Sequence, residues 1–201
     1  MSSSSPTRIL ALSLILAAAA AGLAVAQDLH PSRRPSPMGL ARTHVDDAYV
    51  SITYSRPYKR GRDNIFGTAE SGALVPFGKV WRTGANEATQ LTATRDVLLG
   101  GQRLPAGTYS VFSTPGADSW KIHLNSRLGL NGTAARNPET GEFEDAYSAE
   151  NNVLELEVAP GSLAEEVDQF TISFEDQEDG SVHMVWRWIT TEIRVPVASA
   201  G

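Results

Sequence analysis

The sequence contains no cysteine among its 201 residues. That absence removes disulfides, thiol catalysis and cysteine-ligated zinc together, and no acylated cysteine can anchor the chain to lipid. Histidine is scarce as well. His30, His44, His123 and His183 stand apart with no H-x-H or H-E-x-x-H spacing, and His44 with Asp46 at strand spacing offers two ligands where zinc takes three or four. No metal site and no cofactor are therefore expected. Positive charge is in deficit, with 17 Lys and Arg against 23 Asp and Glu and a net charge of −6. Phosphate-backbone binding needs a basic footprint, so nucleic acid is excluded as a partner. There is no G-x-S-x-G elbow, and no Ser-His-Asp order that spacing singles out.

What is present starts with an export signal. A positive amino terminus with Arg8 precedes an apolar run from Ile9 to Leu23 and the triplet Ala24-Val25-Ala26, which together read as the n-region, h-region and A-x-A cleavage site of a signal peptide over residues 1–26. The run is shorter than the ~20 residues that span a bilayer, and no comparable run follows it. The expectation is a soluble protein beginning at Gln27 and delivered to the periplasm or the cell exterior. Residues 27–42, rich in Pro, Ser and Arg, read as a flexible tether. Residues 43–198 then form one β-rich domain, long enough to bury a core without staples.

Within that domain Val50, Ile52 and Tyr54 alternate with Ser51, Thr53 and Ser55, the pattern of a half-buried strand. Comparable signals occur at Thr89–Thr94, Tyr109–Ser113, Trp120–Asn125, Val153–Val158, Phe170–Phe174, Val182–Ile189 and Ile193–Val197. Gly100-Gly101, Pro105-Ala106-Gly107 and Asp179-Gly180 supply turns. Helical periodicity is weak and predicts at most one or two turns at Ser162–Asp168. The fold class is mainly β: a single-domain β-sandwich or a jelly-roll-like antiparallel barrel with one or two short helical turns. Val182, Met184, Trp186 and Trp188 share one strand face, which belongs in the core. Residues 126–152 are polar and turn-rich and read as a long surface loop.

Residues 56–88 are irregular but carry Phe66, Leu74, Val75, Phe77 and Trp81, so they read as a packed loop, the kind that carries function. Their motifs are specific. Tyr54-Ser55-Arg56-Pro57, Lys59-Arg60-Gly61-Arg62, Ile65-Phe66-Gly67 and Leu74-Val75-Pro76-Phe77-Gly78 lead into Lys79-Val80-Trp81-Arg82-Thr83-Gly84-Ala85-Asn86-Glu87-Ala88-Thr89. With Leu104-Pro105-Ala106-Gly107-Thr108-Tyr109-Ser110 and Trp120, the chain from about 38 to 197 resembles the exported bacterial family known as domain of unknown function 2911. The resemblance implies an exported β-rich domain and brings no catalytic residues with it. The 126–152 stretch is longer than that family leads one to expect.

Segment 56–88 holds six cations against three acids within an acidic chain. Arginine offers bidentate geometry to carboxylate, phosphate or sulfate, so Arg56, Lys59, Arg62, Lys79 and Arg82 are candidate ligand-binding residues. Trp81, Asn86 and Glu87 join them as a flat apolar surface beside polar groups. The same residues also suit a purely structural loop: Gly84 turning, Asn86 bonding the backbone, Arg82 pairing with Glu87 and Trp81 filling the core. The leading expectation is a non-catalytic domain that binds a small polar or anionic ligand, or another exported protein. The alternatives are a hydrolase of glycans or esters using Glu87 as acid or base, and a structural periplasmic protein without a ligand.

Overall fold

The computed structural model describes residues 33–201. The signal peptide expected at 1–26, His30 and the first part of the 27–42 segment lie outside the described residues. In chain order the first strands are β1 (Met38–Val45), β2 (Ala48–Ser55), β3 (Phe66–Gly67), β4 (Val75–Pro76), β5 (Thr89–Ala93), β6 (Val97–Leu99) and β7 (Gln102–Leu104). There follow β8 (Gly107–Thr114), β9 (Trp120–Asn125), β10 (Ala134–Arg136), β11 (Phe143–Asp145), β12 (Asn152–Val158), β13 (Gly161–Asp176) and β14 (Val182–Ser199).

A six-stranded sheet runs β1-β2-β5-β8-β9-β12 and a four-stranded sheet runs β13-β14-β6-β7, every neighbouring pair antiparallel. Period-2 alternation makes the core between them. Val50, Ile52, Leu91, Val111, Ile122, Leu124, Leu154 and Leu156 of the larger sheet meet Ile172, Met184, Trp186, Trp188, Val195, Val197, Leu99 and Leu104 of the smaller in one buried cluster. Neither sheet closes on itself, so the architecture is the sandwich and not the barrel.

Several expectations change in detail. The 27–42 segment is not all tether: β1 begins at Met38 and pairs with β2 from Met38↔Ser55 onward. Its apolar residues gave no strand signal because Met38 and Leu40 are 51% and 58% exposed; backbone pairing at the sheet edge holds it. Ser162–Asp168 is strand rather than helix, since Ser162 and Val167 pair with Thr191 and Ile189 across two register shifts and Asp168 O accepts from Lys59 N. The helical turns lie elsewhere, as 3-10 turns at Ala69–Ser71 and Ala149–Asn151. The two strand signals at 182–189 and 193–197 are one strand, β14, bent where Ile189 takes a φ of 49°.

The 126–152 segment is also more than a surface loop. Leu130 is buried against Phe112 and Ala88, and β10 and β11 form a hairpin above them. This second small core covers the outer face of β8, which is why Ser110 and Phe112 are buried as fully as Tyr109 and Val111.

On the outer face of the smaller sheet, Arg187 bridges Glu175 and Glu192, and Arg194 reaches the same two acids. The hydrogen bond from Arg187 holds the Glu175 carboxyl below its ordinary 4.5. Burial works against ionisation of Glu192, but hydrogen bonds and attraction from Arg194 and Arg187 outweigh it and lower that carboxyl as well. Folded values below the unfolded value mean stabilisation that is complete above 4.5 and lost as pH falls through the lowered values. Thermal melts taken between about pH 7 and pH 3 should therefore show Tm dropping at the acid end, and Glu175→Gln/Glu192→Gln should lose part of that dependence. An acid slope identical in the two proteins would assign it to other carboxylates.

Candidate functional site

The loop from 56 to 88 is pinned at both ends to the sandwich. At its start Pro57 O accepts from Phe170 N at 2.9 Å and Lys59 N donates to Asp168 O at 2.7 Å, so this piece runs along β13. Arg60 and Gly61 then turn the chain with φ of 53° and 68°. Phe66–Gly67 and Val75–Pro76 pair in parallel, closing a lobe in which Asn64 Nδ2 donates to Ser71 O at 2.6 Å. At the far end Trp81 and Ser113 exchange both backbone hydrogen bonds, at 2.7 and 2.8 Å, which locks the loop to β8.

The turn that follows is built by small polar groups. Thr89 Oγ1 donates to Thr83 O at 2.6 Å, the Thr83 and Ser113 hydroxyls share a 2.9 Å bond, and Trp81 Nε1 donates to Gly84 O at 3.0 Å. Asn86 Nδ2 bonds Ser55 Oγ at 3.1 Å and Ser36 O at 3.2 Å. The Trp81 ring stacks on Trp188 with 6.0 Å between centroids and an interplanar angle of 18°, and meets Phe66, Phe170 and Trp120 edge-on.

Beside this aromatic cluster opens a cleft of about 350 Å³. Pro57, Tyr58, Leu74, Val75, Trp81 and Trp188 give it apolar walls, while Ser36, Gly84 and Ala85 border it. Its charged lining is three arginines, Arg60, Arg62 and Arg82, with no acid among the lining residues. Arg60 Nη2 donates to Pro35 O and Arg62 Nη2 to Tyr58 O, each at 2.6 Å. Arg82 differs from both: its Nε is buried and has no hydrogen-bond partner among the described residues. Burial lowers its pKa from the ordinary 12.5, with the Glu87 charge acting in the opposite direction. A desolvated guanidinium lacking a partner is costly unless an anion meets it.

Of the sequence candidates, Arg62, Trp81 and Arg82 come together in this cleft. Arg56 turns away to bond Phe170 O at 3.3 Å and Thr171 Oγ1 at 2.9 Å. Lys59 pairs with Glu166 at 2.8 Å. Lys79 is exposed and does not line the cleft, and Asn86 is committed to the turn. Glu87 does not pair directly with Arg82; Arg34 Nη1 donates to both its carboxylate oxygens, at 2.6 and 2.8 Å. It borders a separate, smaller groove with Met38, Thr53, Tyr54 and Gln90, in which no second acid is lining. Sequence reasoning missed Tyr58, Arg60 and Trp188 as cleft residues. Arg60 was visible within the basic segment and Trp188 as part of an apolar strand face, but nothing local joined them to Trp81.

Residues 36–197 match the family model described as "Protein of unknown function (DUF2911)". No curated protein and no solved structure matches the chain.

Proposed function

The chain thus belongs to the DUF2911 family, whose description names no activity, and from the cleft we propose that it is an exported, non-catalytic binding domain for a small anion carrying an apolar body. The observation that carries this reading is Arg82, a lining residue of the aromatic-walled cleft whose Nε is buried without a hydrogen-bond partner among the described residues. Arg60 and Arg62 add positive charge with no internal acid to cancel it. Carboxylate, phosphate and sulfate all suit the planar donor fork of arginine, and the walls of Tyr58, Leu74 and Trp81 suit a ring or short hydrocarbon. Delivery outside the cytoplasm rests on the signal at residues 1–26.

Protein recovered from the periplasm or the medium is expected to begin at Gln27. Titrated calorimetrically, it should bind phenyl phosphate or benzoate and ignore glucose. Losing charge-assisted hydrogen bonds costs about 1.5–3 kcal/mol, so Arg82→Ala should weaken binding roughly tenfold to hundredfold while remaining folded. Absence of binding by both anions, or undiminished binding by Arg82→Ala, would overturn the reading.

A further inference from the structure

Residues 34–37 cross the rim of the cleft as a strap. Pro35 O receives Arg60 Nη2, Ser36 O receives Asn86 Nδ2, and Pro37 O accepts from the backbone N of Arg56 at 2.9 Å. The strap also carries Arg34, which grips both oxygens of Glu87. Arg34 is the more sheltered partner, its side chain 20% exposed against 53% for Glu87.

Glu87 and the head of Arg82 occupy one corner of the fold. Arg82 Nη1 lies against Gly132, so close that a Cβ on that glycine would stand 2.9 Å away. Gly132 N donates to Asn86 O at 3.2 Å, and Glu87 forms an isolated β-bridge with Asn131. Arg34 and Arg82 are the two cations whose charge acts on Glu87. A carboxylate on a short turn beside an unpartnered guanidinium is an internal competitor for any external anion.

We propose that Arg34 is a positioning residue of the anion site: by holding Glu87 it keeps that carboxylate off Arg82 and leaves the guanidinium to an external oxyanion. The inference rests on the reading that the cleft binds an anion. It makes the strap part of the site and Arg34 a determinant of affinity that need not touch the ligand. It also explains how a charged run containing both Arg82 and Glu87 avoids neutralising itself.

The test is a double-mutant comparison with phenyl phosphate as probe. Arg34→Gln frees Glu87 to turn to Arg82 and should weaken binding roughly twofold to fivefold. Arg34→Gln/Glu87→Gln removes the competitor and should bring affinity back to near wild type, while Arg34→Lys should keep most of it. A crystal structure of Arg34→Gln should place the Glu87 carboxylate within hydrogen-bond distance of Arg82. If Glu87 stays away from Arg82 in that structure, the inference fails whether or not a ligand binds. It fails equally if Arg34→Gln binds as wild type, or if the double variant is no better than Arg34→Gln. Failure of the parent reading looks different: wild type itself ignores the anions, or Arg82→Ala binds undiminished.

Discussion

Replacing Trp81 by alanine is expected to cost about 3–5 kcal/mol of folding stability, the range for deleting a large aromatic from a packed site. The indole is partly buried and touches four other aromatic rings: Phe66, Trp120, Phe170 and Trp188. These rings come from the loop and from both sheets, so the cavity left by truncation would lie where the three meet. Aromatic pairs also contribute roughly 0.5–1.5 kcal/mol beyond the area they bury. Against a typical total of about 5–15 kcal/mol, such a loss is a large share of all stability. Urea unfolding followed by far-UV circular dichroism measures it. Trp81→Phe, which keeps a ring in the cluster but loses the bond to Gly84 O, should cost markedly less. A loss below about 1 kcal/mol for Trp81→Ala would mean that the ring is a surface wall and not a pillar of the core.

Gly84→Ala should be nearly as damaging, for a different reason. A Cβ at this position would stand 2.9 Å from the backbone oxygen of Ser55 and 3.2 Å from Thr89 Oγ1. The oxygen belongs to β2 and already accepts a bond from Ala85 N at 3.3 Å, so it cannot swing aside as a long side chain would. The residue also sits at φ 155°, between Thr83 at 52° and Asn86 at 56°. Combining the steric overlap with backbone strain gives a cost of about 2–4 kcal/mol. Because Gly84 and Ala85 border the cleft, the variant should also lose anion binding at temperatures where it remains folded. Differential scanning calorimetry reads the first effect and calorimetric titration the second. A melting temperature within about 1 °C of wild type would show that the turn has room to relax.

The fold was legible wherever burial imposed an alternation. The strand carrying Val50, Ile52 and Tyr54, and the face carrying Met184, Trp186 and Trp188, announce themselves because one side of each meets the core. β1 did not, since it is recruited by backbone pairing at an edge and exposes Met38 and Leu40. The Ser162–Asp168 stretch gives no strand alternation because its partners, Thr191 and Ile189, lie far along the chain and meet it across register shifts. At the site the run from Trp81 to Glu87 stood out by its composition, and Trp81 and Arg82 do line the cleft. Which cations line the cleft is beyond sequence. Arg56 and Lys59 look the same as Arg62 until Thr171 and Glu166 arrive from β13 to engage them.

The strap has a practical side. Ser36 is a wall of the cleft, and Pro35 O accepts from Arg60, another of its lining residues, so a fusion partner joined directly ahead of this strap would sit beside the proposed anion site. The opposite terminus follows Ser199, whose strand partner is Val97 of β6, and neither lines the cleft. Immobilisation for binding assays, affinity handles and fluorescent reporters therefore belong on the Ser199 side of the fold, where they leave the cleft open.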